Sequence, residues 1–99
     1  MKQFPVIFSR DAVEDLASAI QWGIDNWGEE KTWFWYRKTR NKIQNKLSFT
    51  PLSCPIAPDD EEYEVEVRQM ILGRYRILFH IGKNAVTILH VKGPYTGAN

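Results

Sequence analysis

An α+β domain with an N-terminal strand, a two-helix antiparallel hairpin and a three-stranded antiparallel meander is what this sequence predicts, on three observations. Over residues 68–91 apolar side chains alternate with others (Met70, Leu72, Tyr75, Ile77, Phe79, Ile81, Val86, Ile88). Gly73-Arg74 and Gly82-Lys83-Asn84 interrupt the alternation, which is the pattern of two successive hairpins. Upstream, Val13, Leu16, Ala17, Ile20, Ile24 and Trp27 recur at steps of three and four, the period of an amphipathic helix. A second stretch, residues 29–47, continues without proline or glycine.

Each element has a local reason. Residues 4–8 are short and apolar and end at Ser9, a good helix N-cap; Pro5 lacks an amide proton, so this strand is expected at a sheet edge or with the Pro5 position turned away from its neighbour. Asp11, Glu14 and Asp15 then sit near the positive end of the first helix dipole, and Gly28 is expected to stop that helix in the left-handed conformation. In the second helix Trp33, Tyr36 or Arg37, Arg40, Ile43 and Leu47 mark the expected buried stripe. Residues 48–60 hold Pro51, Pro55 and Pro58 and read as a surface loop.

Composition bounds the function. With 99 residues, 43% hydrophobic and 25% charged, residues 1–99 are expected to form one globular domain. A net charge of +1 argues against coating nucleic acid through bulk positive charge. The charge is segregated instead. Asp59, Asp60, Glu61, Glu62, Glu64 and Glu66 are six of the twelve carboxylates, whereas residues 67–92 carry Arg68, Arg74, Arg76, Lys83 and Lys92 and no carboxylate. Arg37, Lys38, Arg40, Lys42 and Lys46 form a second basic run, either a solvated helix face or a track for a phosphate backbone.

Cys54 has no partner for an internal disulfide, no signal-like segment opens the chain, and no apolar stretch approaches the roughly 18–20 residues of a membrane span; a cytoplasmic protein is expected. The acidic run lacks the glycine-containing spacing of a calcium loop, and there is no phosphate-cradling glycine loop, nucleophile elbow or zinc-ligand cluster. Neither a metal nor a cofactor is expected. Trp22, Trp27, Trp33 and Trp35 fall within fourteen positions, more than two short helices easily bury, so an aromatic partner surface is expected.

The phrase Arg68-Gln69-Met70-Ile71-Leu72-Gly73-Arg74-Tyr75-Arg76-Ile77-Leu78-Phe79, followed by Val86-Thr87-Ile88-Leu89-His90-Val91, resembles the C-terminal sheet of the RelE/ParE superfamily of bacterial type II toxins, which includes many chains labelled plasmid stabilisation proteins. Leu47, Pro51 and Cys54-Pro55-Ile56-Ala57-Pro58 resemble a connector found in one subgroup. The resemblance implies the toxin of a toxin-antitoxin system, inhibiting growth until a cognate antitoxin lays a helix or extended segment across it. Two mechanisms are implied for such chains: endoribonuclease cleavage of mRNA in the ribosome, and inhibition of DNA gyrase without chemistry of the toxin's own. A member that binds antitoxin and no longer poisons anything is a third reading. A homodimer or a toxin-antitoxin hetero-oligomer is the expected assembly.

The resemblance also names residues. The arginine of the Gly-x-Tyr-Arg phrase of RelE-like ribonucleases corresponds to Arg76, with one residue inserted; its planar fork suits a scissile phosphate, and the alternative is an ion pair with the 59–66 carboxylates. His80, His90 and Tyr95 are the further candidates for proton transfer, against ordinary half-buried histidines and a tail aromatic. Arg68, Arg74 and Lys92 are candidate substrate-binding cations. If Gly73-Arg74 is a two-residue loop, Arg68 falls opposite Phe79 and away from Arg76, which favours a structural ion-pair role for it over a bulged register. Val67 and Gln69 stand where RelE has lysines, and Lys92 and Gly93 stand where many subgroup members have arginine and histidine.

Overall fold

Ser9 starts the first helix as a capping serine should: its backbone is extended, and its hydroxyl accepts the Ala12 N–H at 3.1 Å while donating to the Leu89 carbonyl at 3.0 Å. The structure, a computed structural model, describes residues 3–93. Along them run β1 (Val6–Phe8), α1 (Arg10–Trp27), α2 (Glu29–Phe49), β2 (Arg68–Leu72), β3 (Tyr75–Ile81) and β4 (Val86–Lys92), with 3₁₀ turns at Pro51–Ser53 and Asp60–Glu62. The expected α+β architecture is present. Among the described residues no helix is long and apolar enough to cross a membrane.

Gly28 separates the helices, but not in the left-handed helical region. Its φ of 91° and ψ of 164° are a positive-φ extended conformation open essentially to glycine alone. Its N–H donates to the Ile24 carbonyl, and its own carbonyl accepts both the Thr32 N–H and the Thr32 hydroxyl, so both backbone groups of Gly28 are paired at the reversal. The helices then approach closely where Gly23 faces Thr32: a Cβ at Gly23 would lie 2.8 Å from Thr32 Oγ1.

The α2 stripe differs from expectation. Thr32, Thr39, Ile43, Leu47 and Ser48 are buried, whereas Trp33 is 39% and Phe34 61% exposed. A threonine occupies the inner position at 32 because α1 comes too near there, at Gly23, for an indole. Similarly, α1 buries Ala12, Leu16, Ala19 and Gly23, leaving Val13 53% exposed.

The sheet has the order β1-β4-β3-β2, so β1 is an edge strand, as Pro5 suggested. It runs parallel to β4 (Val6 opposite Val86, Phe8 opposite Ile88), and Pro5 contributes its carbonyl to the Val86 N–H. Leu72 pairs with Tyr75 across a turn in which Gly73 has φ 61°, the positive-φ first position that favours glycine. Arg68 lies opposite Phe79 as that register requires. Between β3 and β4 the register shifts at Leu78/Phe79.

The main core, including Leu16, Ile43, Leu47, Ile77, Phe79 and Ile88, lies between the helices and the sheet. The other face of the sheet is covered too. The proline-rich connector is not a surface loop throughout: Cys54 and Ala57 are buried, Ile56 bridges Arg68, and the Ala57 and Gln69 N–H groups bond the Val67 and Pro55 carbonyls. Ala57, Val67 and Leu78 form a second small core against Tyr63 and Leu89. Prolines fit here because the connector pairs through only some of its amides.

Candidate functional site

Alternation along β3 puts Arg76, Leu78 and His80 on the face away from the helices, and the connector determines what they meet. Arg76 Nη2 donates to Asp59 Oδ1 at 2.8 Å, and its Nε donates to Gln69 Oε1 at 3.0 Å on the neighbouring strand. The hydrogen bond from Arg76 holds the Asp59 carboxyl below its ordinary range. Of the two alternatives for Arg76, the structure shows the ion pair with the 59–66 carboxylates: the acidic run folds back on β3. Asp60 in turn accepts the Val67 N–H at 2.6 Å and fixes the segment.

Of the other candidate cations, Lys92 is exposed and directly opposite Arg76 in the register, so these two come together. Arg68 does not join them. Its Nη1 donates to the Cys54 carbonyl at 2.6 Å, and its Nε stands 3.3 Å from Glu66 Oε1, close enough to pair in charge but without an aligned hydrogen bond. Burial pushes the adjoining Cys54 thiol up, the largest influence on it. Arg74 is at the exposed tip of the β2–β3 hairpin.

The histidines are separated as well. His80 Nδ1 lies 2.9 Å from the Glu66 carbonyl near one end of β3. His90 Nδ1 lies 3.2 Å from Asp15 Oδ2 of α1, and the same carboxylate oxygen accepts the Val91 N–H at 2.9 Å. Asp15 thereby ties α1 to β4. Tyr95 lies outside the described residues.

Two concave surface features stand apart from these histidines. Along one side of the helix pair runs a groove of about 460 Å³ lined by Val6, Phe8, Val13, Ala17, Ile20 and Tyr36, with Leu16 at its base. Arg40 closes one wall, its guanidinium 4.5 Å from the Phe8 ring centre and bonded to the Tyr36 hydroxyl at 2.8 Å. A second cleft of about 300 Å³ lies between α2 and the β2–β3 hairpin tip. The signal for the first groove was present in the Val13, Ala17 and Ile20 spacing, since a helical apolar stripe wider than its own core contact leaves part of itself outside.

No protein-family model matches the sequence. No curated protein matches it either. Solved structures do match the fold: a chain of the chromosomal ParDE toxin-antitoxin system from P. aeruginosa superposes with a TM-score of 0.75 at 18% sequence identity, over 92% of this chain and 96% of that one. Strand, helix hairpin and antiparallel meander thus make up a fold that this chain shares with a chain of that ParDE system.

Proposed function

We propose that this chain is the toxin component of a type II toxin-antitoxin pair, one toxin domain over residues 1–99, acting in the cytoplasm by occupying its target rather than by chemistry of its own. The observation that carries this reading is the Asp59–Arg76 pair: the guanidinium best suited to grip a scissile phosphate is already held by a carboxylate and an amide of the same chain. Arg68 and His80 likewise have partners in the connector, Cys54 and Glu66, and His90 has one on α1, Asp15. DNA gyrase is the target that likeness to ParE chains implies.

The cognate antitoxin would cover the groove beside α1. Val13, Ala17 and Ile20 offer an apolar strip at helical spacing, and Arg40 at the wall supplies a cation for an acidic residue of the incoming segment, which is helix-in-groove recognition.

Induction in a bacterial host should arrest growth, and co-expression of the neighbouring reading frame should relieve the arrest. Purified protein should inhibit gyrase supercoiling while leaving mRNA intact on translating ribosomes. Ribosome-dependent cleavage that vanishes in Arg76→Ala overturns the binding-only mechanism and restores the endoribonuclease reading. Unchanged growth with tight antitoxin binding identifies a member that has lost toxicity.

A further inference from the structure

We infer that the outward face of α2 binds duplex DNA, the helix lying in the major groove with its cations on phosphates and its side-chain amides on base edges. This goes beyond the toxin reading and does not depend on it: Lys38, Asn41, Lys42 and Asn45, which carry it, do not line the groove beside α1.

Thr32, Thr39, Ile43 and Leu47 recur along α2 at steps of seven and four, so α1, β1 and the following 3₁₀ turn pack on one side of the helix and the other side meets solvent. On that outer side every exposed residue from 35 to 48 is arginine, lysine, asparagine or glutamine. Glu30 is the last carboxylate of the helix, and among the described residues none of the α2 cations enters an ion pair. Lys38, Lys42 and Lys46 stand four apart, where like charges repel along a helix and cost it stability. A face that served only solubility would intersperse the two signs, with glutamates answering the lysines at that spacing. In a chain whose net charge is only +1, an unbroken positive row needs an anion from outside the molecule.

The amides and the shape of the face choose among polyanions. Asn41 and Asn45 share their side of the helix with Lys38 and Lys42. Each amide offers donors and an acceptor together, which a base edge in the major groove meets in pairs and an acidic peptide leaves half unused. A lipid surface needs an apolar strip, and between Phe34 and Phe49 the exposed positions of α2 hold none. A single strand needs open rings to stack on, and those of the same stretch, Trp35 and Tyr36, are half-buried. An α-helix about 10–12 Å across fits the B-form major groove of about 12 Å, whereas that of duplex RNA is too deep and narrow to be read. Phe34, 61% exposed at the start of the row, supplies the apolar contact that a thymine methyl takes.

The test is fluorescence anisotropy of a labelled mixed-sequence DNA duplex of about twenty base pairs, two turns of the double helix, titrated with the full chain. Saturable binding is expected, weakening steeply with added salt. Lys38→Ala/Lys42→Ala should weaken it at least about fivefold and reduce the salt slope by about one per lysine removed. Asn41→Ala/Asn45→Ala should weaken it at least about fivefold at an unchanged salt slope, the mark of contacts that carry no charge. Lys83→Ala, which removes one charge at the β3–β4 turn, should leave binding unchanged. All five positions are exposed, and circular dichroism checks that the helices persist. No binding at low salt, equal loss in Lys83→Ala, or wild-type affinity in the amide variant overturns the proposal. So does equal competition by duplex RNA, single-stranded DNA, phosphatidylserine vesicles or polyglutamate.

Discussion

Asp59 and Arg76, 17 positions apart in the chain, share a 2.8 Å hydrogen bond on the face of the sheet that turns away from the helices. A residue from the most acidic stretch thus neutralises one from the carboxylate-free segment 67–92. The bond also fastens the connector, whose own apolar anchor is the small cluster of Ala57, Val67 and Leu78.

Asp59→Asn should therefore cost about 1–2 kcal/mol, at the low side for a charged hydrogen bond because the guanidinium is partly solvated. The sign of its pH dependence is set by the lowered Asp59 pKa. The ionised carboxylate stabilises the fold in full above the unfolded-state value of about 3.9, and the contribution disappears as pH falls through the lower folded value. Urea midpoints of the variant should lie below wild type at neutral pH and converge with it in acid. A gap that stays constant down to strongly acidic pH would contradict the assignment.

Gly23→Ala tests the helix contact. In an open helix this change would gain about 1 kcal/mol, but the new methyl would lie 2.8 and 2.9 Å from two Thr32 atoms, so a net loss of about 1–3 kcal/mol is expected. Thr32→Ala in the same chain removes both atoms and should recover part of that loss. A double-mutant cycle that showed no coupling would place the crowding elsewhere.

Much of the fold was legible because its signals are local. Ser9, the period of α1, the Gly73-Arg74 turn and the register that sets Arg68 against Phe79 each follow from a few neighbouring residues. The α2 stripe was misjudged because large aromatics suggest a core, whereas Gly23 admits only a small residue opposite it. The surroundings of Arg76 were left open for a related reason. The alternative of an ion pair with the acidic run was visible, but choosing it needed the path of the connector across the sheet, which no local spacing records. The spacing of Trp35, Lys38 and Lys42 was also present in the sequence, yet only the hairpin tip closing over them makes a cleft.

Arg68→Met should destabilise the protein by about 1–3 kcal/mol, since the Cys54 carbonyl loses its donor and Glu66 its counter-charge. With the antitoxin seated in the groove beside α1 as proposed, its affinity should not change, because Arg68 does not line that groove. Thermal unfolding and a binding titration on the same sample separate the two effects. Affinity falling in a variant that remains folded would give Arg68 a role in recognition.

Cys54 should resist thiol reagents in the native protein and react at once after denaturation, because it is buried and burial raises its pKa. The linked stability is complete below the unfolded thiol value of about 8.5 and is lost as pH rises through the higher folded value. Cys54→Ala should accordingly show a shallower alkaline decline. Rapid native modification at neutral pH would contradict this.

The pairing of β1 with β4 has a consequence for synthesis of the chain. Residues 6–8 wait for residues 86–88 before they have a strand to lie beside, and the Ser9 hydroxyl that begins α1 finds its carbonyl acceptor 80 positions later. The helix hairpin can form early, but its platform is completed only when the last strand has left the ribosome. A nascent chain truncated before β4 is expected to be a protease substrate, so incomplete translation products would be cleared before they acquire the native surface.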